Sequence, residues 1–132
     1  MEPALAIFAP LLGHCFVATL SPDVVDRHCF TDIYKGAHVR DVHVVTSKGK
    51  EVYAGETIYS FDGKTIQFTY VNSTGGVGHG TAASSGGGIA FSGSMLGSPG
   101  AKPTPIASRW NVGAASYDVT NSGAPTLRFT RD

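Results

Sequence analysis

The sequence predicts an all-β fold in a single domain spanning residues 1–132, an antiparallel up-and-down β-barrel of about eight to ten strands. Three observations predict it. Seventeen glycines and seven prolines are scattered among Val, Thr, Tyr and Phe, the composition of short strands joined by tight turns. From His14 onward the residues alternate apolar and polar in runs of strand length. Each run ends in a short turn signal, so successive strands pair with their neighbours. Such a series closes on itself to avoid exposed edges; a two-sheet sandwich is the rival architecture. A chain of 132 residues is long enough to bury a core of its own.

The elements follow in order. MEPALAIFAPLL is apolar but has no basic leader, so it is not a signal peptide as it stands. The protein is periplasmic or secreted if a signal peptide has been removed, and cytoplasmic otherwise. Ala6 to Leu12 predicts one helical turn, broken at Pro10, suited to plug one end of a barrel. Strands are predicted over 14–20, 24–32, 37–46, 51–60, 64–71, 77–84, 88–95, 105–111, 115–120 and 125–130. The last is placed to pair with the first. Basic and acidic residues balance at ten each, which gives no electrostatic case for nucleic acid. No stretch approaches the ~20 apolar residues of a membrane-spanning helix.

HCFVATLSPDVVDRHCF (14–30) carries His-Cys-Phe at both ends and raises the question of a metal site. A three-residue turn at Ser21-Pro22-Asp23 sets Cys15 opposite Cys29, His14 opposite Phe30 and Phe16 opposite His28. Neighbouring side chains point to opposite faces, so the four donors cannot converge on one tetrahedral ion. Cys15 and Cys29 are placed for a disulfide in an oxidising compartment, or for two buried thiols otherwise. His14, Phe16, His28 and Phe30 share the other face, as a packed aromatic patch with hydrogen-bonded imidazoles or as a ligand-binding histidine pair.

AHVRDVHVV (37–45) puts His38, Arg40, Val42 and Val44 on one face and Val39, Asp41, His43 and Val45 on the other. EVYAGETIYSF (51–61) divides Val52, Ala54, Glu56 and Ile58 from Tyr53, Gly55, Thr57 and Tyr59. The SKGK turn brings Arg40 opposite Glu56 or Thr57. Because their flanks are apolar, Arg40 and Glu56 are expected to point inward as an ion pair, since an unpaired buried charge is prohibitively costly. A cross-strand surface pair is the alternative. An internal pair makes Glu56→Gln more damaging than Asp41→Asn. On the next strand Ile66, Phe68 and Tyr70 form an apolar face. GGVGHG (75–80) lacks the strand–helix context of a dinucleotide fingerprint and is expected to be a bulged, bent strand, with His79 exposed. Trp110 is expected in the core or at the barrel mouth.

LAIFAPLLGHCF, DRHCFTDIYKGAHVRDVHVV and VYAGETIYSFDGKTIQFTYVNSTGGVGHG together resemble a group of small bacterial lipocalin-like (calycin-type) β-barrel proteins of uncharacterised function. In these a PLLG turn leads into the first strand, followed by GGAHVRD, YAGETLY and an aromatic strand ending in NS-GG. The resemblance covers roughly residues 5–80. This chain departs from it at Phe16, where Trp is commoner, and at Lys35, where Gly is usual. It implies a lipocalin or fatty-acid-binding-protein-like barrel with an enclosed cavity, and carries no catalytic set.

The function expected is binding of a small apolar or amphipathic molecule inside the barrel. The interior candidates are Arg40, Glu56, His38, Val42, Phe68, Tyr70, His28 and Phe16. A filled barrel with a structural or interaction role is the second reading. A barrel enzyme using His38 or His43 with Asp41 or Glu56 as acid–base groups is the third. No motif marks a cofactor or metal site, and a haem-binding barrel with a histidine ligand would declare itself by colour. The oligomer expected is a monomer or homodimer.

Overall fold

The computed structural model describes residues 1–132 and is a closed barrel of ten antiparallel strands, each paired with its sequence neighbour. These are β1 (His14–Ser21), β2 (Val24–Ile33), β3 (His38–Ser47), β4 (Lys50–Phe61), β5 (Ile66–Asn72), β6 (Val77–Ser85), β7 (Gly88–Leu96), β8 (Thr104–Val112), β9 (Ser116–Asn121) and β10 (Leu127–Arg131). The barrel closes where Phe16 of β1 lies opposite Arg131 of β10. No helix is long and apolar enough to cross a membrane.

Register decides which face is inside. Cys15 opposes Cys29, His14 opposes Phe30 and Phe16 opposes His28, as the sequence predicts. The local route differs: Pro22 and Asp23 make a two-residue turn, and Leu20 is the extra residue that keeps the register. Cys15 and Cys29 are joined by a disulfide on the outer face. Phe16 and Phe30 are buried inside. From them the inward face passes to His43, Asp41 and Val39 on β3, then to Tyr53, Gly55, Thr57 and Tyr59 on β4.

That choice overturns the expected placement of four residues. His38, Arg40 and Val42 of β3, and Glu56 of β4, lie on the outer face. Arg40 stands opposite Ile58 rather than Glu56 or Thr57, because a bulge at Val52 shifts the β3–β4 register. Arg40 still reaches Glu56 diagonally and donates to its carboxylate, with both side chains partly in water. Charges stay hydrated there, so the pair needs no lumen. The face with Asp41 and His43 is the one drawn inward, by continuity with Phe16 and Phe30.

The N-terminal helix is a 3₁₀ helix over Pro3–Leu11, longer than the single turn expected, and it continues past Pro10 by one residue. With three residues per turn, side chains three apart eclipse. Leu5, Phe8 and Leu11 therefore form one stripe, and all are fully buried. Glu2 donates its backbone N–H to Gly36 O at 2.8 Å, tying the plug to the β2–β3 turn. Phe8 packs its ring 4.3 Å from Tyr59. Beneath the plug an aromatic layer crosses the barrel: Phe91 meets Trp110 at 4.6 Å, Trp110 meets Tyr117 at 4.9 Å, and Tyr117 stacks on Phe129 at 4.9 Å.

β6 pairs with both neighbours without a register shift, so GGVGHG is two glycines of the preceding turn followed by a regular strand from Val77 rather than a bulged one. Gly80 faces inward where a Cβ would strike Ser92 O at 2.1 Å and the Phe68 ring at 2.8 Å. The missing side chain leaves room for Phe68. His79 is exposed on the outer face.

Candidate functional site

The barrel is filled at the plug end and hollow at the other. Its hollow half is a cavity of about 770 Å³. Phe91 and Trp110 form its floor, and Thr104, Asn121 and Ser122, at the strand ends opposite the plug, form its rim. One wall is apolar, with Met95, Ile106 and Val119 from β7, β8 and β9. The facing wall, from β2 to β5, carries the polar side chains.

That polar wall is a connected network. His28 Nδ1 donates to Asp41 at 2.8 Å, and its Nε2 lies 3.1 Å from Asp26 Oδ2. Both ring nitrogens face carboxylates, so both carry protons and His28 is an imidazolium. Burial opposes that charge, but the Asp41 and Asp26 carboxylates outweigh it and raise the His28 pKa to about 10. Burial likewise works against the Asp26 carboxylate, yet hydrogen bonds from His28 and His43 prevail and lower its pKa to about 2. Asp26 Oδ1 holds His43 Nδ1 at 3.0 Å. His43 Nε2 meets the Tyr70 hydroxyl at 2.9 Å, and Tyr70 meets Tyr53 at 2.5 Å.

The backbone makes room for this chain of bonds at Gly55. A Cβ there would fall 2.3 Å from Tyr70 Oη and 2.7 Å from His43 Nε2. Only glycine lets the histidine of β3 and the tyrosine of β5 meet across the strand between them.

Asp26, His28 and His43 also bring three metal-ligating atoms within 4.8 Å of one another. Their arrangement suits protons better than an ion. The two imidazoles stack at 4.5 Å with planes 24° apart, so their in-plane lone pairs run side by side rather than converging. Each ring addresses a different oxygen of Asp26.

Of the interior candidates read from the sequence, Phe68, Tyr70 and His28 line the cavity. Phe16 points inward but is buried in the core, 5.3 Å from Tyr117 and 6.0 Å from Phe30. His38 is outside, with Nδ1 2.7 Å from Ser60 Oγ, and Arg40, Glu56 and Val42 are outside with it. The acid–base pairings considered from sequence are also rearranged: His43 is held by Asp26, while Asp41 holds His28. Asp26, Tyr53 and Thr57 are the polar-wall residues that the sequence reading did not single out. The signal for them was present. Carrying the Phe16–Phe30 face across the short turns at 34–37 and 48–49 leads to Asp41 and His43, then to Tyr53 and Thr57.

No family model matches the chain, and no curated protein matches it. What stands is the barrel itself, closed, antiparallel and ten-stranded.

Proposed function

We propose that this is a lipocalin-like binding protein that holds a small amphipathic molecule in the hollow half of the barrel. The observation that carries this reading is a cavity with one polar and one apolar wall, about 770 Å³ in volume, within the size of small-molecule sites. The apolar body of the ligand lies against Phe68, Phe91, Ile106 and Trp110, and its polar end meets Tyr53, Tyr70 and Thr57. His28 acts from behind, fixing the two carboxylates that orient the network. The Cys15–Cys29 bond fits an oxidising compartment and supports a periplasmic or secreted protein.

Trp110 is the single tryptophan of the chain and lines the cavity, so it reports on occupancy. N-phenyl-1-naphthylamine, a neutral fluorescent probe, is expected to bind and to accept energy from Trp110. Ile106→Trp fills the space beside the apolar wall and should abolish probe binding while the barrel stays folded by circular dichroism. Equal binding to the wild type and this variant would refute the cavity as the site.

A second reading, acid–base catalysis, is favoured by the Asp26–His43–Tyr70–Tyr53 chain, which ends at the cavity. Asp26 orients His43 so that a proton can pass along the two phenols. Chemical conversion of a bound molecule, lost in His43→Gln and kept in Glu56→Gln, would establish it.

A further inference from the structure

We propose that the polar end of the ligand is a protonated amine and that carboxylates with the same apolar body are rejected. This deepens the binding reading above and rests on it.

The first argument is the direction of the hydrogen bonds. Asp26 accepts the Nδ1–H of His43, and in the neutral ring that places the lone pair on Nε2, facing Tyr70. In that tautomer Tyr70 donates to Nε2, which leaves the Tyr70 oxygen to accept from Tyr53. With its own proton committed, Tyr53 presents only oxygen lone pairs to the cavity. An ammonium or hydroxyl group completes the chain by donating to Tyr53. A carboxylate would meet lone pair with lone pair.

The second argument is charge. Asp26 and Asp41 are two carboxylates, and the His28 imidazolium between them cancels only one. His43 meets Asp26 through Nδ1 and Tyr70 through Nε2. Asp26, Asp41 and His28 together keep one negative charge in partly buried surroundings, where an incoming cation gains most. Every titratable side chain facing His43 enters that sum: Asp26 and His28 from β2, Asp41 from β3, Tyr53 from β4 and Tyr70 from β5. No lysine or arginine lines the cavity. Although His28 is cationic, both of its N–H groups are engaged, so it offers a carboxylate no donor.

The third argument is the surroundings. Phe68, Phe91 and Trp110 are among the lining residues, and an aromatic face attracts a desolvated cation and repels a carboxylate.

The test uses three molecules with one apolar body: 4-phenylbutylamine, 4-phenylbutanol and 4-phenylbutanoate. Each is titrated against bound N-phenyl-1-naphthylamine at about pH 7, where the amine is an ammonium and the acid a carboxylate. The amine is expected to displace the probe at least about tenfold more tightly than the acid, with the alcohol between them. Tyr53→Phe removes the terminal acceptor, leaves the ring in place, and should shrink the advantage of the amine over the acid. An acid that competes as well as the amine, or a probe-binding barrel showing no preference among the three, overturns the amine assignment and leaves the binding reading intact. Failure of the probe itself to bind overturns both.

Discussion

At the residue scale, stability rests on which charges are buried. Asp41 is 3% exposed and holds the His28 imidazolium. Asp41→Asn leaves His28 paired with Asp26 alone and loses the charged partner of its Nδ1–H, and is expected to cost about 1.5–3 kcal/mol in chemical denaturation. Glu56→Gln breaks a hydrated pair and should cost under about 1 kcal/mol. This ordering reverses the one that an inward Arg40–Glu56 pair would give. Tyr117 offers a test of opposite sign. Its ring stacks on Phe129, but its hydroxyl is buried without a partner, and burial pushes its pKa far up. Tyr117→Phe keeps the stack, removes the orphan hydroxyl, and should stabilise the fold by about 1 kcal/mol.

The same residues set a pH window. The His28 pKa is raised from 6.5 to about 10, so its contribution is complete below pH 6.5 and fades as pH rises through 10. The Asp26 pKa is lowered from 3.8 to about 2, so its contribution is complete above pH 3.8 and fades as pH falls through 2. Thermal stability should therefore plateau between these limits, with an alkaline loss beginning above pH 6.5. Proton NMR of the His28 ring should show it still protonated at pH 8. A ring that titrates near 6.5 would contradict the two-carboxylate clamp.

At the element scale, two devices hold the filled end. The Pro3–Leu11 helix inserts Leu5, Phe8 and Leu11 as one stripe, and Phe8→Ala should cost about 3–5 kcal/mol by leaving a void against Tyr59. The Cys15–Cys29 bond closes a short loop, with partners 14 residues apart. Replacing both cysteines by serine should cost about 2–4 kcal/mol without changing the far-UV spectrum, because the ladder beside them remains.

The elements were largely legible in the sequence, since each strand carries its alternation and each turn its glycine, proline or aspartate. Every strand bound lies within about two residues of its expected position. The helix was under-read because a three-residue repeat of apolar side chains fits neither an α-helical stripe nor a strand. The β3–β4 register was displaced by the bulge at Val52, and nothing in KEVYAG distinguishes a bulged valine from a paired one.

At the scale of the whole molecule, inside and outside are one collective choice. Fixing Phe16 and Phe30 inward fixes every later strand, because successive side chains alternate and each pairing transmits the face. The apolar flanks of Arg40 and Glu56 pointed the other way, and local flanks cannot overrule ten linked registers. Hence the half-site residues Phe68, Tyr70 and His28 were readable one strand at a time. The Asp26–His28–Asp41–His43 wall emerges only when β2, β3 and β4 are laid side by side. The resulting molecule is a cup: plugged and aromatic at one end, hollow and two-walled at the other.

Methyl-resolved NMR during titration with N-phenyl-1-naphthylamine tests this arrangement most directly. The methyl signals of Ile106 and Val119, facing the cavity, should shift while those of Val42, beside Arg40 on the outer face, stay still. Shifts at Val42 with Ile106 and Val119 unmoved would contradict it, placing the binding surface outside the barrel.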